Sequence, residues 1–297
     1  MTVPLFIALP GNEAMTEKLA ALCGGDVGAI ETRDFPDGET YLRFRSDIAG
    51  RSVVLVCTLA WPNKKILPVI FAAETTRELG ARKVGLVAPY LCYMRQDRRF
   101  QAGEAVTSRQ FATLLSRAFD WLATIDPHLH RYKALSEIYT IPARALHAGT
   151  VIADWIKNNI EDPFLIGPDE ESEQWVSEVA RDCGAGYAVL HKQRLGDRDV
   201  RIAPDHLERL GGAKPVLIDD IISSGETMLE AIRVVKPYTR RAPVAIGVHG
   251  LFADGSDKAI EEEGTTLVTS NTVPHASNRI DIAGLLAPVI TELSASE

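Results

Sequence analysis

Cysteine is scarce. Cys23, Cys57, Cys92 and Cys183 lie far apart, so the chain has neither the paired spacing of a metal knuckle nor that of a thioredoxin-like motif. Scattered single thiols fit buried side chains in a reducing compartment, and a cytoplasmic protein is expected. No apolar run approaches the roughly 18 residues of a membrane helix, so no membrane partner is expected. Met1 to Pro10 is apolar but has no basic leader, and Gly11-Asn12-Glu13 ends it early, so it reads as a strand rather than a signal peptide. Basic residues are also in deficit: 32 Lys and Arg against 40 Asp and Glu give a net charge of −8. That excludes nucleic-acid binding by bulk charge, which rewards clustered cations. Phosphate-bearing small molecules survive the exclusion, because they respond to local charge only. There is no low-complexity segment and no Gly/Ser linker.

What is present is a regular alternation. The 297 residues suggest two domains at roughly 150 residues each. Strands are expected at Val3–Leu9, Ser52–Leu59, Lys83–Pro89 and Trp121–Asp126, with a half-exposed strand at Glu39–Arg45. Helices are expected near Asn12–Leu22, Lys64–Leu79 and Ser108–Ala118. The second half repeats the pattern, with strands at Phe164–Asp169, Tyr187–Lys192, Pro215–Asp220 and Pro243–Phe252. Its helices fall near Thr150–Asn159, Ser172–Arg181, Thr227–Lys236 and Ala283–Leu293. Alternation of this kind gives parallel strands joined by crossover helices, hence an α/β fold. A boundary is expected near residue 148. An internal duplication is conceivable, but no residue-level repeat proves it.

Open α/β sheets bind ligands at the carboxyl ends of their strands. Four such ends are polar: D-P-H-L-H (126–130), G-P-D-E-E-S (167–172), H-K-Q-R (191–194) and D-D-I-I-S-S-G-E-T (219–227). The last is the most specific. An apolar strand delivers Asp219 and Asp220, and a Ser-Ser-Gly turn then opens a helix whose N–H groups and hydroxyls form an anion cradle. Paired acids would face sugar hydroxyls or a metal, so the segment reads as a site for a phosphorylated sugar. The plainer alternative is a strand ending in Asp before an N-capped helix. Asp126, His128 and His130, on alternating positions, could likewise suggest a transition-metal site, although such sites usually need three or four firm ligands. F-P-D-G-E (35–39) is a tight turn between strands. P-Y-L-C-Y-M-R-Q-D-R-R (89–99) packs three arginines around an acid, which suggests an anion site or a solvated turn.

Together these segments resemble the ribose-phosphate pyrophosphokinase family. Its F-S-D-G-E-like turn and P-Y-x-x-Y-x-R-Q-D-R loop match here, followed in order by the D-x-H and P-D strand ends, a K-x-R loop and a T-V-P at 272–274. The resemblance runs from about Phe6 to the terminal helix. It implies two phosphoribosyltransferase-like domains, each a mainly parallel sheet flanked by helices. Residues 1–147 would form an ATP-binding domain, 148–281 a ribose-phosphate-binding domain, and 282–297 a terminal helix.

The implied activity transfers the pyrophosphoryl group of ATP to the anomeric hydroxyl of ribose 5-phosphate, with Mg²⁺ as cofactor. By position, Arg95, Gln96 and Asp97 would bind ATP. Phe35, Asp37 and Glu39 would reach the adenine of a neighbouring subunit's ATP, which implies a homodimer or larger homo-oligomer. His128 would lie near the metal and the ATP phosphates, and Asp169 would help hold Mg²⁺. Lys192 and Arg194 would act from a mobile loop continuing through 195–201, although a charged surface turn reads equally well there. Asp219 and Asp220 would hold the ribose hydroxyls, while Ser223, Ser224, Gly225 and Thr227 would cradle the 5-phosphate. The chain departs from common members at Ser223, where they carry Asp, and at Glu226, where they carry Gly. Archaeal-type members have a similar D-D-I-I-S-T-G pattern. A catalytically silent regulatory homologue and a phosphoribosyltransferase are the competing readings.

Overall fold

The computed structural model describes residues 3–194, 200–203 and 207–295, with backbone only at 171, 191–194 and 200–203. The chain divides into two compact units, one running to Leu146 and resuming at Ile282, the other spanning His147–Asp281.

The first unit opens with β1 (Leu5–Ala8), α1 (Glu13–Cys23), β2 (Asp26–Gly28), β3 (Ile30–Asp34), β4 (Thr40–Phe44) and β5 (Ser52–Val56). It continues through α2 (Ile66–Glu78), β6 (Lys83–Ala88), α3 (Thr107–Ala118), β7 (Trp121–Ile125) and β8 (Ala143–Leu146). Next come α4 (Gly149–Asn159), β9 (Pro163–Gly167), α5 (Glu173–Cys183), β10 (Gly186–Val189), β11 (His191–Arg194) and β12 (Val200–Ala203). The second unit then runs through β13 (Lys214–Ile222), α6 (Glu226–Val235), β14 (Val244–Gly250), α7 (Ser256–Glu262), β15 (Thr266–Ser270) and β16 (Asn278–Ile280). Helix α8 (Ala283–Ala295) returns to the first unit.

Each unit is built on one six-stranded parallel sheet. The orders are β2-β1-β5-β6-β7-β8 and β10-β9-β13-β14-β15-β16, which is one topology written twice. Strands β5 and β14 are buried along their whole length, as continuous apolar runs in doubly covered parallel sheets must be. Each unit also inserts an antiparallel hairpin between its second and third strands in sequence, β3–β4 in the first and β11–β12 in the second. The F-P-D-G-E turn and the K-x-R segment therefore belong to equivalent hairpins, the first as a turn and the second on the strand β11.

The repeat reaches residue level at the ends of α1 and α5. Helices α1 and α5 each end Cys-Gly, and Gly24 and Gly184 take φ of 64° and 73°, the left-handed conformation that costs glycine nothing. The following amides close back on Ala20 and Ala180 at 2.8 and 2.9 Å. The helices lying against α1 and α5 are exchanged: α8 packs on α1, while α4 packs on α5.

Two strand expectations are corrected. Tyr187–Lys192 is not one strand. β10 ends at Val189, and the chain leaves the sheet for the hairpin, so H-K-Q-R is not a sheet-strand end. β13 continues past Asp220 to Ile222, because Ile221 and Ile222 still pair with His249 and Gly250 of β14. On its other side, its pairing with β9 stops at Leu217.

Packing in the first sheet is tightest where Gly85 of β6 faces Trp121 of β7. A Cβ on Gly85 would lie 2.0 Å from two carbons of the fully buried indole. Neither backbone can yield without breaking the ladder, so Gly85→Ala is expected to cost about 3 kcal/mol, the upper part of the overpacking range. A lowered denaturant midpoint checks this. An unchanged midpoint would mean that the indole has room to move.

Candidate functional site

In the second unit the sheet reverses its strand order between β9 and β13, and such a switch point opens a crevice beyond the strand ends. Asp169 follows β9, and Asp219 and Asp220 lie on the part of β13 that has left β9 behind. The Asp220 amide donates to Asp219 Oδ1 at 2.9 Å. Burial pushes the Asp219 carboxyl well above the usual carboxylate range, and the nearby charges of Asp220 and Asp169 push it further. Three carboxylates therefore share one neighbourhood.

The chain then turns through Ser223-Ser224-Gly225 into α6. Gly225 takes φ of 75°, and a Cβ there would lie 2.6 Å from Cβ of Ser256, so the position needs glycine for both conformation and space. The turn is braced from behind by the segment between β14 and α7. Ser223 O accepts hydrogen bonds from Ala253 N at 2.9 Å and from Ser256 Oγ at 3.1 Å. Ile222 O accepts from Leu251 N and Phe252 N at 2.9 and 3.2 Å. With these carbonyls held, the turn is fixed at the α6 N-terminus, and Ser224 is exposed there. Glu226, unexplained from sequence, is an exposed first-turn residue of α6, where the helix dipole favours an acid.

In the first unit, the loop after β6 carries Arg95, exposed, and Gln96, half-buried. Asp97 is 6% exposed and is already engaged: its Oδ1 accepts from Arg131 Nη1 at 2.7 Å, and its carbonyl accepts from the Tyr132 hydroxyl at 3.0 Å. Ser108 and Arg109 at the start of α3 both reach that hydroxyl at 3.2 Å. Asp97 thus ties the R-Q-D-R loop to the segment after β7, and it acts on its neighbours by fixing them. The ends of β6 and β7 are adjacent, so His128 and His130 stand beside this loop's root, with their rings edge to face at 3.8 Å. Among the described residues, no three His, Cys, Asp or Glu side chains are grouped so as to hold a metal ion.

Phe35, Asp37 and Glu39 sit exposed at the tip of β3–β4, which is closed by Phe35 N to Glu39 O at 2.7 Å. Arg33, which sequence reasoning passed over, lies 4.6 Å from the Phe35 ring and 4.3 Å from the Tyr41 ring. Its signal was available: once F-P-D-G-E is taken as the turn, Arg33 falls opposite Tyr41. Arg131, Tyr132 and Ser256 had no such signal, since loops far apart in sequence bring them in. The backbone of Lys192 and Arg194 lies on β11, opposite Ile202 and Val200, and their side chains and residues 195–199 lie outside the described part.

Comparison with known proteins agrees with this arrangement. Residues 5–118 match the N-terminal domain of ribose phosphate pyrophosphokinase, and residues 134–280 match the phosphoribosyl transferase domain. A ribose-phosphate pyrophosphokinase of Saccharolobus solfataricus is 34% identical over 91% of this chain and 93% of its own length. One from Methanopyrus kandleri is 32% identical over 98% and 99%. The crystal structure of phosphoribosylpyrophosphate synthetase from Mycobacterium smegmatis superposes with a TM-score of 0.84 at 22% identity, covering 97% of this chain and 98% of that one, which shows the shared fold. With both domain types in order and relatives matched nearly end to end, the chain belongs to the ribose-phosphate pyrophosphokinase family.

Proposed function

We propose that the chain transfers the pyrophosphoryl group of ATP to the anomeric hydroxyl of ribose 5-phosphate, giving phosphoribosyl pyrophosphate and AMP. One observation carries the reading. An acid pair and a braced Ser-Ser-Gly loop at a switch point occur in the same chain as an arginine-bearing loop that Asp97 anchors. Family membership supports the reaction type.

The hydroxyl oxygen attacks the β-phosphorus, the bond from that phosphorus to the α–β bridging oxygen breaks, and AMP leaves. The hydroxyl proton is released. Such a transfer needs positioning and charge neutralisation more than covalent help. In this reading, the loop amides with Ser223, Ser224 and Thr227 hold the 5-phosphate, and Asp219 and Asp220 accept hydrogen bonds from the ribose hydroxyls. Arg95 and Gln96 take the nucleotide, while Lys192 and Arg194 meet the transferring group.

Mg²⁺ is a hard ion that prefers carboxylate oxygen, and in this reading Asp169 would help hold it in the second unit. Burial raises Asp219 most, and the added repulsion from Asp220 and Asp169 is the part a divalent cation would relieve. When bound, the ion would neutralise phosphate charge. The exposed Phe35 tip fits a role toward a second subunit's adenine, hence a homodimer or larger assembly.

Incubation with ATP, Mg²⁺ and ribose 5-phosphate tests the whole reading. AMP and phosphoribosyl pyrophosphate should appear in equal amounts. ADP in their place, or no product, would overturn it. Arg95 is exposed, so Arg95→Ala should weaken ATP binding about tenfold or more, the scale of a lost charge-assisted hydrogen bond, while the protein stays folded. Unchanged ATP affinity by calorimetry would count against this placement.

A further inference from the structure

The first unit has the same switch point as the second, between β1 and β5. There, at the strand ends and beneath the root of the β3–β4 hairpin, lies a cavity of about 300 Å³. The ladders make the two crevices comparable. Ala8 pairs with Val56 as Ile166 pairs with Leu217, and Pro10 follows β1 as Pro168 follows β9. Counting on from those pairs, Thr58 stands where the second unit has Asp219, Leu59 where it has Asp220, and Gly11 where it has Asp169. All three carboxylates are gone.

Cations take their place. Lys64 and Lys65 come immediately before α2, at the position where Gly225 and Glu226 open α6. Both lysines line the cavity with Arg33, against a single lining acid, Asp34. Arg33 is steadied by its two aromatic neighbours. Lys65 donates from Nζ to Thr58 O at 2.8 Å, and burial holds its ammonium below the ordinary lysine range. A partly desolvated ammonium gains more from a bound anion than a solvated one does. The floor is apolar, formed by Leu9, Pro10 and Val69.

We propose that this crevice binds a small phosphate monoester through Lys64, Lys65 and Arg33, with an apolar or planar body on its floor and no metal or sugar diol required. Three cations against one acid match a dianionic phosphate better than a monoanionic carboxylate. The volume is at the small end for organic ligands and exceeds what a bare phosphate fills. The comparison leans on the sugar-site assignment in the second unit, whereas the cations and the cavity do not.

Calorimetric titration with phenyl phosphate tests the site on three full-length variants beside wild type. Lys64→Gln with Lys65→Met should weaken binding about tenfold or more, as loss of charge-assisted hydrogen bonds does. Ser224→Asp, which repels phosphate from the loop in the second unit, should leave it unchanged. Lys65 also holds a backbone carbonyl, so Arg33→Gln serves as the independent variant. It should weaken binding with no change in melting temperature. No binding by wild type, undiminished binding by the lysine variant or by Arg33→Gln, or loss confined to Ser224→Asp would each overturn the proposal. The AMP-forming assay separates the two readings, since the Lys64 and Lys65 variant should retain that activity and Ser224→Asp should not.

Discussion

Asparagine in place of Asp219 should remove most of the turnover and, at neutral pH, make the protein harder to unfold. The two effects have one cause. Asp219 is a half-buried acid held among acids, with its carboxyl pushed well above the ordinary range by desolvation and then by Asp220 and Asp169. A raised value means that the folded protein holds this proton more tightly than the unfolded chain does. Stability is therefore lost as pH rises from the ordinary carboxylate value through the raised folded one. Asparagine has no proton to lose there. Its amide oxygen can still accept the Asp220 N–H that Asp219 Oδ1 accepts now, and its NH₂ can donate to the Asp220 carboxylate. The variant should thus match wild type at acid pH and exceed it increasingly as pH rises across that window. Without the negative charge, the ribose hydroxyls lose a charge-assisted acceptor, worth about 10²-fold in turnover over substrate affinity. Denaturant midpoints for the two proteins across pH, beside steady-state kinetics, decide the matter. A midpoint difference that stays constant with pH would show that the carboxylate cluster is not the source.

Much of this was legible in the sequence, and the exceptions have physical reasons. Fully buried parallel strands such as β5 and β14 announce themselves because both faces are apolar, and their helices announce themselves by period. Strands β2, β8 and β16 are only three or four residues long, too short for any period to show. The point where β10 gives way to β11 was invisible because the apolar pattern continues through Leu190, which stays buried although the strand has turned away. At the site, D-D-I-I-S-S-G could be read as an anion loop from its own residues. Its bracing by Ser256 and Ala253 could not, since they approach from beyond β14. Asp97 shows the same limit in another form. Sequence placed it in an anion-binding loop, but the pairing of its carboxylate with Arg131, from the segment after β7, had no local signal.

Lys192→Ala should lower turnover by about 10²–10³-fold while leaving ground-state affinity for both substrates within a few-fold of wild type. The magnitude is that of losing one preorganised donor to a developing charge. The location supports a late-acting role. Lys192 and Arg194 lie on β11, whose only partner strand among the described residues is β12, so the hairpin carrying them is not a member of the second unit's main sheet. Its counterpart in the first unit, β3–β4, likewise stands outside that unit's main sheet and presents Phe35, Asp37 and Glu39 at its tip. An interaction confined to the transition state changes turnover alone, which is the signature this reading expects of both residues. If they form one clamp, adding Arg194→Ala should cost less than the product of the two single losses. The measurements are turnover for both single variants and the double variant, with direct binding of ATP and ribose 5-phosphate to each. Near-normal turnover in Lys192→Ala would remove the hairpin from the mechanism. Equal losses in binding and turnover would place the lysine in the resting site instead.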